Sequence, residues 1–468
     1  MLNALFRLER HHTTLRTEIL AGVTTFLTMS YIIFVQPAVL SGTMLGSPTG
    51  MDFGAVTTAT CLSAALATAI MGLYARYPIA LAPGMGENFV FVATAIPVAA
   101  AAGFEHPWQA ALGATFVAGV LFLGLSLLGV RERIIDSVSH SMKNAIAVGI
   151  GMFIAFLGLR NGQLIVSDPG TFVKLSPAIV SPDILVFVVG LVVAAVLSAR
   201  RVKAAILWGI FASLLAALTV RWLLPVLPLS IAESGLVRES LLVSSFSPTA
   251  DLISAPPSMS PTFLAMDLSA ALSAVMIPVI VIFLFMDVFD TTGTLIGVGE
   301  QAGLLVDGKL VRSRRAMVSD AVGTVAGATM GTSTVTSFIE SAAGVEQGGR
   351  TGLTAVTVAV LFVVALFFYP VIAMVGSYPP ITASALVLVG AMMARNVTKI
   401  SWSDPTEGVP AFLTVIGIPL TNSVADGLAL GLISYPVIKA LGGKPREVSG
   451  TMWLLAALLA VYFVVRYS

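Results

Sequence analysis

Two apolar stretches of this chain, Leu81 to Pro97 and Gly331 to Glu346, are interrupted by Pro, Gly, Ser and Thr and carry polar side chains where a membrane helix would be apolar. The first places Asn88 behind Pro83, Gly84 and Gly86; the second places Glu340 behind Gly331, Thr332 and Ser333 and ahead of Gly344. Irregular backbone at bilayer depth is tolerated only where it is buried in protein or lines a cavity. Two such breaks at matching places in two halves of a chain point to the binding site of an inverted-repeat carrier.

The rest of the sequence fits a polytopic membrane protein. Of 468 residues, 57% are hydrophobic and 10% charged, with a mean hydropathy of +0.96, whereas soluble domains carry about 25% charged residues. A span needs about 20 apolar residues. On that measure spans fall near 17–40, 54–75, 79–97, 108–128, 141–159, 182–199 and 204–225, then near 268–299, 316–329, 333–347, 351–375, 380–395, 407–421 and 424–441. The expected architecture is therefore all-α, with about fourteen segments arranged as seven plus seven. Residues 1–16 form a polar N-terminal segment, 17–225 the first repeat, 226–267 an acidic external linker with Glu233, Glu239 and Asp251 against Arg238, and 268–441 the second repeat. The C-terminal segment 442–468 contains an apolar stretch, 451–467, that is an extra span or an interfacial helix, and Pro410, Pro419 and Pro436 leave open whether 407–441 is one kinked helix.

Seven spans per half invert the second repeat relative to the first, with a broken segment third in each. Basic clusters at Arg131 and Arg133, at Arg200, Arg201 and Lys203, at Lys309, Arg312, Arg314 and Arg315, and at Lys439, Lys444 and Arg446 assign the cytoplasmic side and an internal N-terminus in a cytoplasmic membrane. The net charge of +1 and the scatter of basic residues through loops give no nucleic-acid surface. The single cysteine, Cys61, excludes an intramolecular disulfide, and His11, His12, His106 and His140 have no metal-ligand spacing, so neither metal nor cofactor is expected.

Chemistry concentrates in three places. In the eighth span Asp287, Asp290, Thr291 and Thr294 recur at i, i+3, i+4 and i+7, one helical face. A carboxylate at the centre of a span costs about 2.5 to 3.5 kcal/mol on insertion scales, and such groups mark ion or substrate paths. Glu340, with Ser337 and Ser341 beside it, follows the second break, where a half-helix is expected to restart near Ser337. Asn88 holds the corresponding place in the first, offering donor and acceptor together. Phe89 and Phe338 are placed to stack on a flat ring. Glu87 has no clear assignment.

Together, Ala82-Pro-Gly-Met-Gly-Glu-Asn88, Asp287-Val-Phe-Asp-Thr-Thr-Gly-Thr-Leu295, Thr332-Ser-Thr-Val-Thr-Ser-Phe-Ile-Glu-Ser-Ala-Ala-Gly-Val345 with Gly348-Gly-Arg-Thr-Gly352, and Thr25-Phe-Leu-Thr-Met-Ser-Tyr-Ile-Ile-Phe-Val-Gln-Pro37 resemble the adenine/guanine/hypoxanthine permeases of the nucleobase/ascorbate transporter superfamily almost end to end. The resemblance implies a core domain that holds substrate, a gate domain that can pair two protomers, and short strands followed by half-helices in spans three and ten. It implies a purine as cargo, carried by proton symport, with Asp287, Glu340 and Asn88 at the purine and Asp287, Glu340 and Asp290 as candidates for the coupling proton. Glu87 and Phe89 depart from the family pattern beside the third-span Asn and leave open another planar heterocycle or a small organic anion. An enzyme lacks the expected nucleophile and base pair, and a channel would need a continuous polar lining.

Overall fold

The structure, a computed structural model, describes residues 6–128, 138–226, 228, 234–306 and 309–467. Arg131, Arg133 and Glu233 lie outside the described residues. Among the described residues, ten helices are long and apolar enough to cross a membrane by length and composition. In chain order the first half contains Leu15–Met29 continued by Ile32–Leu40, Phe53–Ile70, a broken third element, Pro107–Leu128, His140–Asn161, Pro182–Ala199 and Ala205–Leu223. The second contains Ile277–Gln301, Ser313–Met330, a broken tenth element, Gly352–Ala365 continued to Tyr369–Gly376, Pro379–Ala394, Pro405–Thr421 and Val424–Leu441. The seven-plus-seven reading and the positions of both breaks therefore agree with the observed order.

Local sequence sets the helix ends. Asp52, Ser139 and Ser181 accept the N–H of Ala55, Met142 and Ile184, each satisfying a first-turn donor that no carbonyl of its own helix can reach. Two expectations, the start of the eighth helix and the start of the tenth-span half-helix, are corrected, an open alternative is resolved as two spans, and two hairpins are added. The eighth helix begins at Ile277, after a separate turn at Leu268–Ala271, so it does not run from 268. Residues 407–441 are two helices, because Asn422 adopts a left-handed φ of 52° and Ser423 caps the next helix through the N–H of Asp426. The tenth-span half-helix starts at Ser341 and not near Ser337, which lies in a strand. Hairpins at Ile165–Asp168 with Phe172–Leu175 and at Leu305–Val306 with Lys309–Leu310 add strands in loops that the sequence reading left without structure.

Two packed groups of helices result. Spans five, six, seven and twelve to fourteen contact one another, and spans two, four, eight, nine and eleven form the other group with the first. Within the gate, Gly149, Gly151 and Gly158 let the fifth span approach the backbone of its neighbours: added Cβ atoms would lie 3.0 Å from the Thr414 carbonyl, 2.9 Å from that of Gly390 and 2.9 Å from that of Ala383. These glycines serve contacts inside the protomer. The helix Gly450–Tyr467 packs on the last span with Met452 and Leu459 buried.

The linker is not a loose loop. Short helices Gly235–Arg238 and Leu241–Ser244 are held by Asp183 at the start of the sixth span, whose carboxylate accepts the N–H of Leu241 (2.9 Å) and of Leu242 (3.0 Å) and the Tyr378 hydroxyl (2.6 Å). Farther on, Pro257 accepts from the Thr58 hydroxyl, and Thr262 donates to the Met330 carbonyl. The linker thus ties the gate to the core. Asp183→Ala orphans three buried donors at about 1 to 3 kcal/mol each. The variant is expected to melt several degrees lower in detergent and to be nicked by protease between residues 246 and 254 at rates the parent protein resists.

Candidate functional site

The two breaks meet. Leu81–Pro83 and Val335–Ser337 pair as antiparallel strands with Leu81 opposite Ser337, Ala82 opposite Thr336 and Pro83 opposite Val335. Backbone bonds at both ends extend the pairing, from the Gly84 N–H to the Thr334 carbonyl (3.0 Å) and from the Phe338 N–H to the Ala80 carbonyl (2.9 Å). The Thr68 hydroxyl spans the N–H (2.8 Å) and carbonyl (2.9 Å) of Leu81, and the Ser341 hydroxyl accepts the Ala80 N–H (3.0 Å). Backbone polar groups that a helix would have satisfied internally are thereby paired at membrane depth. Each strand leads into a half-helix, Met85–Val90 or Ser341–Glu346, so the two half-helices start on either side of the crossing.

Small residues are required here. A Cβ on Gly84 would lie 2.2 Å from Glu87 Oε2 and 2.7 Å from Thr336 Cγ2, and one on Gly344 would lie 2.1 Å from Thr25 Oγ1 and 2.6 Å from the Ala21 carbonyl. Gly331 turns into the strand with φ +101°, open to glycine at no steric cost. Gly86 leaves room for Met286, 3.3 Å from the position of an added Cβ.

Five carboxylates surround the crossing. Glu340 stands at the N-cap of the tenth-span half-helix, partly accessible, with its Oε1 accepting the Tyr31 hydroxyl (2.9 Å). Asp290 has exposed surface, its carboxylate reaches Thr336, and it lies close enough to Glu87, Glu340 and Tyr31 to interact electrostatically with each. Asp287, one turn earlier, is fully buried: Thr324 donates to its Oδ2 (2.9 Å) and its Oδ1 has no partner. Glu87, left without assignment by the sequence, is 1% exposed with its carboxylate packed against Gly84, so it belongs to the crossing. Asp320 of the ninth span, also fully buried, accepts the Ser337 hydroxyl (2.8 Å). Among the described residues no lysine, arginine or histidine forms an ion pair with any of the five, and no three such groups approach a metal-binding geometry.

The remaining expected residues fall into two places. Thr291 joins Thr336 across the crossing through their hydroxyls (2.9 Å), and Thr294 is buried one turn on. Asn88 sits behind the strands: the Ser333 hydroxyl donates to its Oδ1, while the Gln36 amide donates to Thr332 (2.8 Å) and Ser333 (3.0 Å). Phe89 is fully buried, edge-on against Phe153 of the fifth span at 5.7 Å between ring centres, and Phe338 is 6% exposed beside the accessible carboxylates. Phe89 thus joins core to gate and presents no free face. Glu87, Tyr31 and Gln36 belong to the crossing and Asp320 lies buried behind it, and sequence reasoning missed all four. Asp320 carries the signal that would have found it, an acid within a span, and Tyr31 and Gln36 belong to a motif already singled out.

The tenth-span half-helix offers no free amides, since the N–H groups of Ser341, Ala342 and Ala343 are bonded to the carbonyls of Phe338, Ile339 and Glu340. What the crossing presents is acceptors and hydroxyls at the end of an accessible stripe on the eighth span, where Asp290, Gly293, Ile296 and Glu300 are exposed and nothing lies within 4 Å of Gly293's missing Cβ. Such a surface suits a flat ligand rich in N–H donors.

Crossed strands, paired half-helices and a polar site buried between two helix groups define a membrane carrier. The solved structures agree on the fold: the transmembrane domain of the cyanobacterial bicarbonate transporter BicA superposes with a TM-score of 0.58 at 14% identity, covering 89% of this chain and 97% of that one. SLC26A9 does so with 0.58 at 10% identity, covering 94% and 68%. A family model described as "Permease family" (Xan_ur_permease) matches residues 16–430. Full-length relatives include a putative permease of Methanocaldococcus jannaschii, 45% identical over 98% of this chain and 97% of its own. The guanine/hypoxanthine permease PbuO of Bacillus subtilis is 38% identical over 98% and 100%, and the adenine permease AdeP of Escherichia coli 38% over 99% and 96%. The chain belongs to the nucleobase/ascorbate transporter family, in its branch of purine permeases. Those relatives are permeases and not enzymes.

Proposed function

We propose that this protein imports a purine nucleobase, adenine, guanine, hypoxanthine or xanthine, across the cytoplasmic membrane by proton symport, its core moving against its gate to expose the crossing alternately to each side. The observation that carries this reading is the proximity of accessible Asp290 to Glu340 at the junction of the two breaks, with no basic residue ion-paired to either among the described residues. Ring N–H and exocyclic amino groups find acceptors there, and the names of relatives matching over nearly their whole length supply the substrate class. Asp287, fully buried, supports the purine from behind Thr324 and not by direct contact. Aromatic contact falls to Phe338. No resident cofactor is needed; the coupling species is H+, and the protein works in a lipid bilayer, with the gate face available for a homodimer.

The N-terminus is assigned to the cytoplasm. Arg7, Arg76 and Arg315 gather around Arg312 on one face, with His11 beside it, joining the first segment to the loops after spans two and eight. Excess basic charge of this kind faces the cytoplasm. Domain limits follow the same reading: 17–225 and 268–441 as inverted repeats, joined by the external strap 226–267.

Uptake tests the function directly. Cells lacking their own nucleobase carriers and expressing this protein should accumulate one radiolabelled purine, and a protonophore should collapse that accumulation. No uptake of any purine by protein shown to be in the membrane would contradict the reading and bring forward a different planar cargo. Glu87→Leu should shift the preference among purines at least about fivefold, since its carboxylate borders the crossing; unchanged competition profiles would remove Glu87 from the pocket.

A further inference from the structure

Asp320 has no part in the reading above, yet its carboxylate is bonded to the strand that forms half of the crossing. It lies in the middle of the Ser313–Met330 helix, directly behind the second strand, with no exposure to solvent. Ser337 donates its hydroxyl to Oδ2 at 2.8 Å, and Oδ1 has no partner. Asp287 mirrors it from the eighth span: it is equally buried, with Oδ2 accepting from Thr324 at 2.9 Å and Oδ1 likewise unpartnered. The two carboxylates interact with each other electrostatically. The other titratable groups facing them are all acids, Asp290 from the same helix as Asp287 and Glu87 from the third span.

An ionised carboxylate in a dry interior is costly without a cation or several donors, and two that share a site do not both ionise readily. Each keeps one oxygen without a partner, although Thr291 as well as Ser337 reaches Asp320, and no lysine, arginine or histidine pairs with either among the described residues. Ser337 and Thr324 also grip the strand: Ser337 is its last residue, and the Thr324 hydroxyl sits 3.0 Å from the Val335 carbonyl and 3.2 Å from the Val335 N–H. Whatever occupies the carboxylates is thus felt by the strand that leads to Glu340.

We propose that Asp320 and Asp287 form a buried pair that holds the coupling proton one layer behind the purine, and that the strand Val335–Ser337 transmits its presence to the pocket. One proton from the outside adds to a carboxylate oxygen of the pair, giving a carboxylic acid, and leaves from that oxygen to the cytoplasm after the purine is released. Asp320 is a positioning and proton-holding residue and does not touch the substrate. The inference rests on the proton-symport reading above.

The test uses the full chain in proteoliposomes and separates exchange from coupling. Wild-type protein should exchange internal for external hypoxanthine, accumulate hypoxanthine under an inward proton gradient, and alkalinise the outer medium as purine enters. Asp320→Asn keeps size and an acceptor for Ser337. It should retain exchange within about threefold of wild type while losing gradient-driven accumulation and proton movement at least about tenfold. Where the Asn variant fails to insert, Asp320→Ser serves the same comparison. Proton-driven accumulation at the wild-type level in a folded variant would overturn the proposal, as would equal loss of exchange and accumulation. Wild-type exchange without any proton movement would instead remove the symport reading itself, and the absence of wild-type exchange would remove the purine.

Discussion

Glu340→Gln is expected to reduce purine uptake at least about 100-fold while leaving the protein folded and in the membrane. The substitution keeps volume and changes charge and hydrogen-bond sense. A hydrogen bond to a charged group contributes about 1.5 to 3 kcal/mol, and the upper value corresponds to a change of about 100-fold. The amide also directs an N–H toward a ligand whose edge is itself a donor, and the Tyr31 hydroxyl, 2.9 Å from Oε1, loses its charged acceptor. Tyr31→Phe removes only the orienting contact and should cost about five- to tenfold. Saturation kinetics of uptake, with surface labelling to count inserted protein, separate these outcomes. Wild-type KM and rate in Glu340→Gln would show that the purine does not meet this carboxylate.

The second large effect is steric. Gly84→Val should abolish transport, because the new Cβ would lie 2.2 Å from Glu87 Oε2 and 2.7 Å from Thr336 Cγ2, with two further methyl carbons to place. The strand crossing has no room to absorb them: Gly84 N–H is bonded to Thr334, and Pro83 immediately before it is already paired opposite Val335. Overpacking a well-filled interior costs about 1 to 3 kcal/mol. Here it also separates the two half-helices that hold Glu87 and Glu340. Gly124→Ala is the matched control, since nothing lies within 4 Å of that position in the fourth span, and it should transport and melt as wild type does. Purine binding to the purified variants, together with thermal melting, measures both effects.

Much of this site is legible in the sequence, and the reason is energetic. Pro83, Gly84 and Gly331 interrupt spans that would otherwise be continuous helices, and in a bilayer such interruptions persist only where other groups satisfy the freed backbone. Asp287, Asp290 and Glu340 stood out for the same reason, as charges where lipid would exclude them. What periodicity could not show was which acid opens to solvent. Asp287 and Asp290 share a helical face, yet Asp287 is buried against Thr324 and Asp290 is exposed, a difference set by the packing of the ninth span. Asp320 does not stand out because its span is short and weakly hydrophobic, with Gly323 and Gly327 accepting Val335 of the strand at close range. Periodicity also does not show that the Oδ1 of Asn88 accepts from Ser333, which in turn accepts from Gln36.

The central claim is that the purine binds where the two breaks cross, beside Asp290 and Glu340. Cysteine protection tests it most directly. Cys61 is the only native cysteine and is fully buried, so a thiol placed at Gly293, in open space one turn beyond Asp290, reports the pocket alone. Labelling of Gly293→Cys by a small methanethiosulfonate reagent should slow at least about fivefold with saturating transported purine. It should not respond to uracil, and the same purine should leave a cysteine at exposed Ser247 in the linker unaffected. Unchanged labelling at Gly293→Cys in a variant that still transports the purine would place the binding site elsewhere and contradict the account.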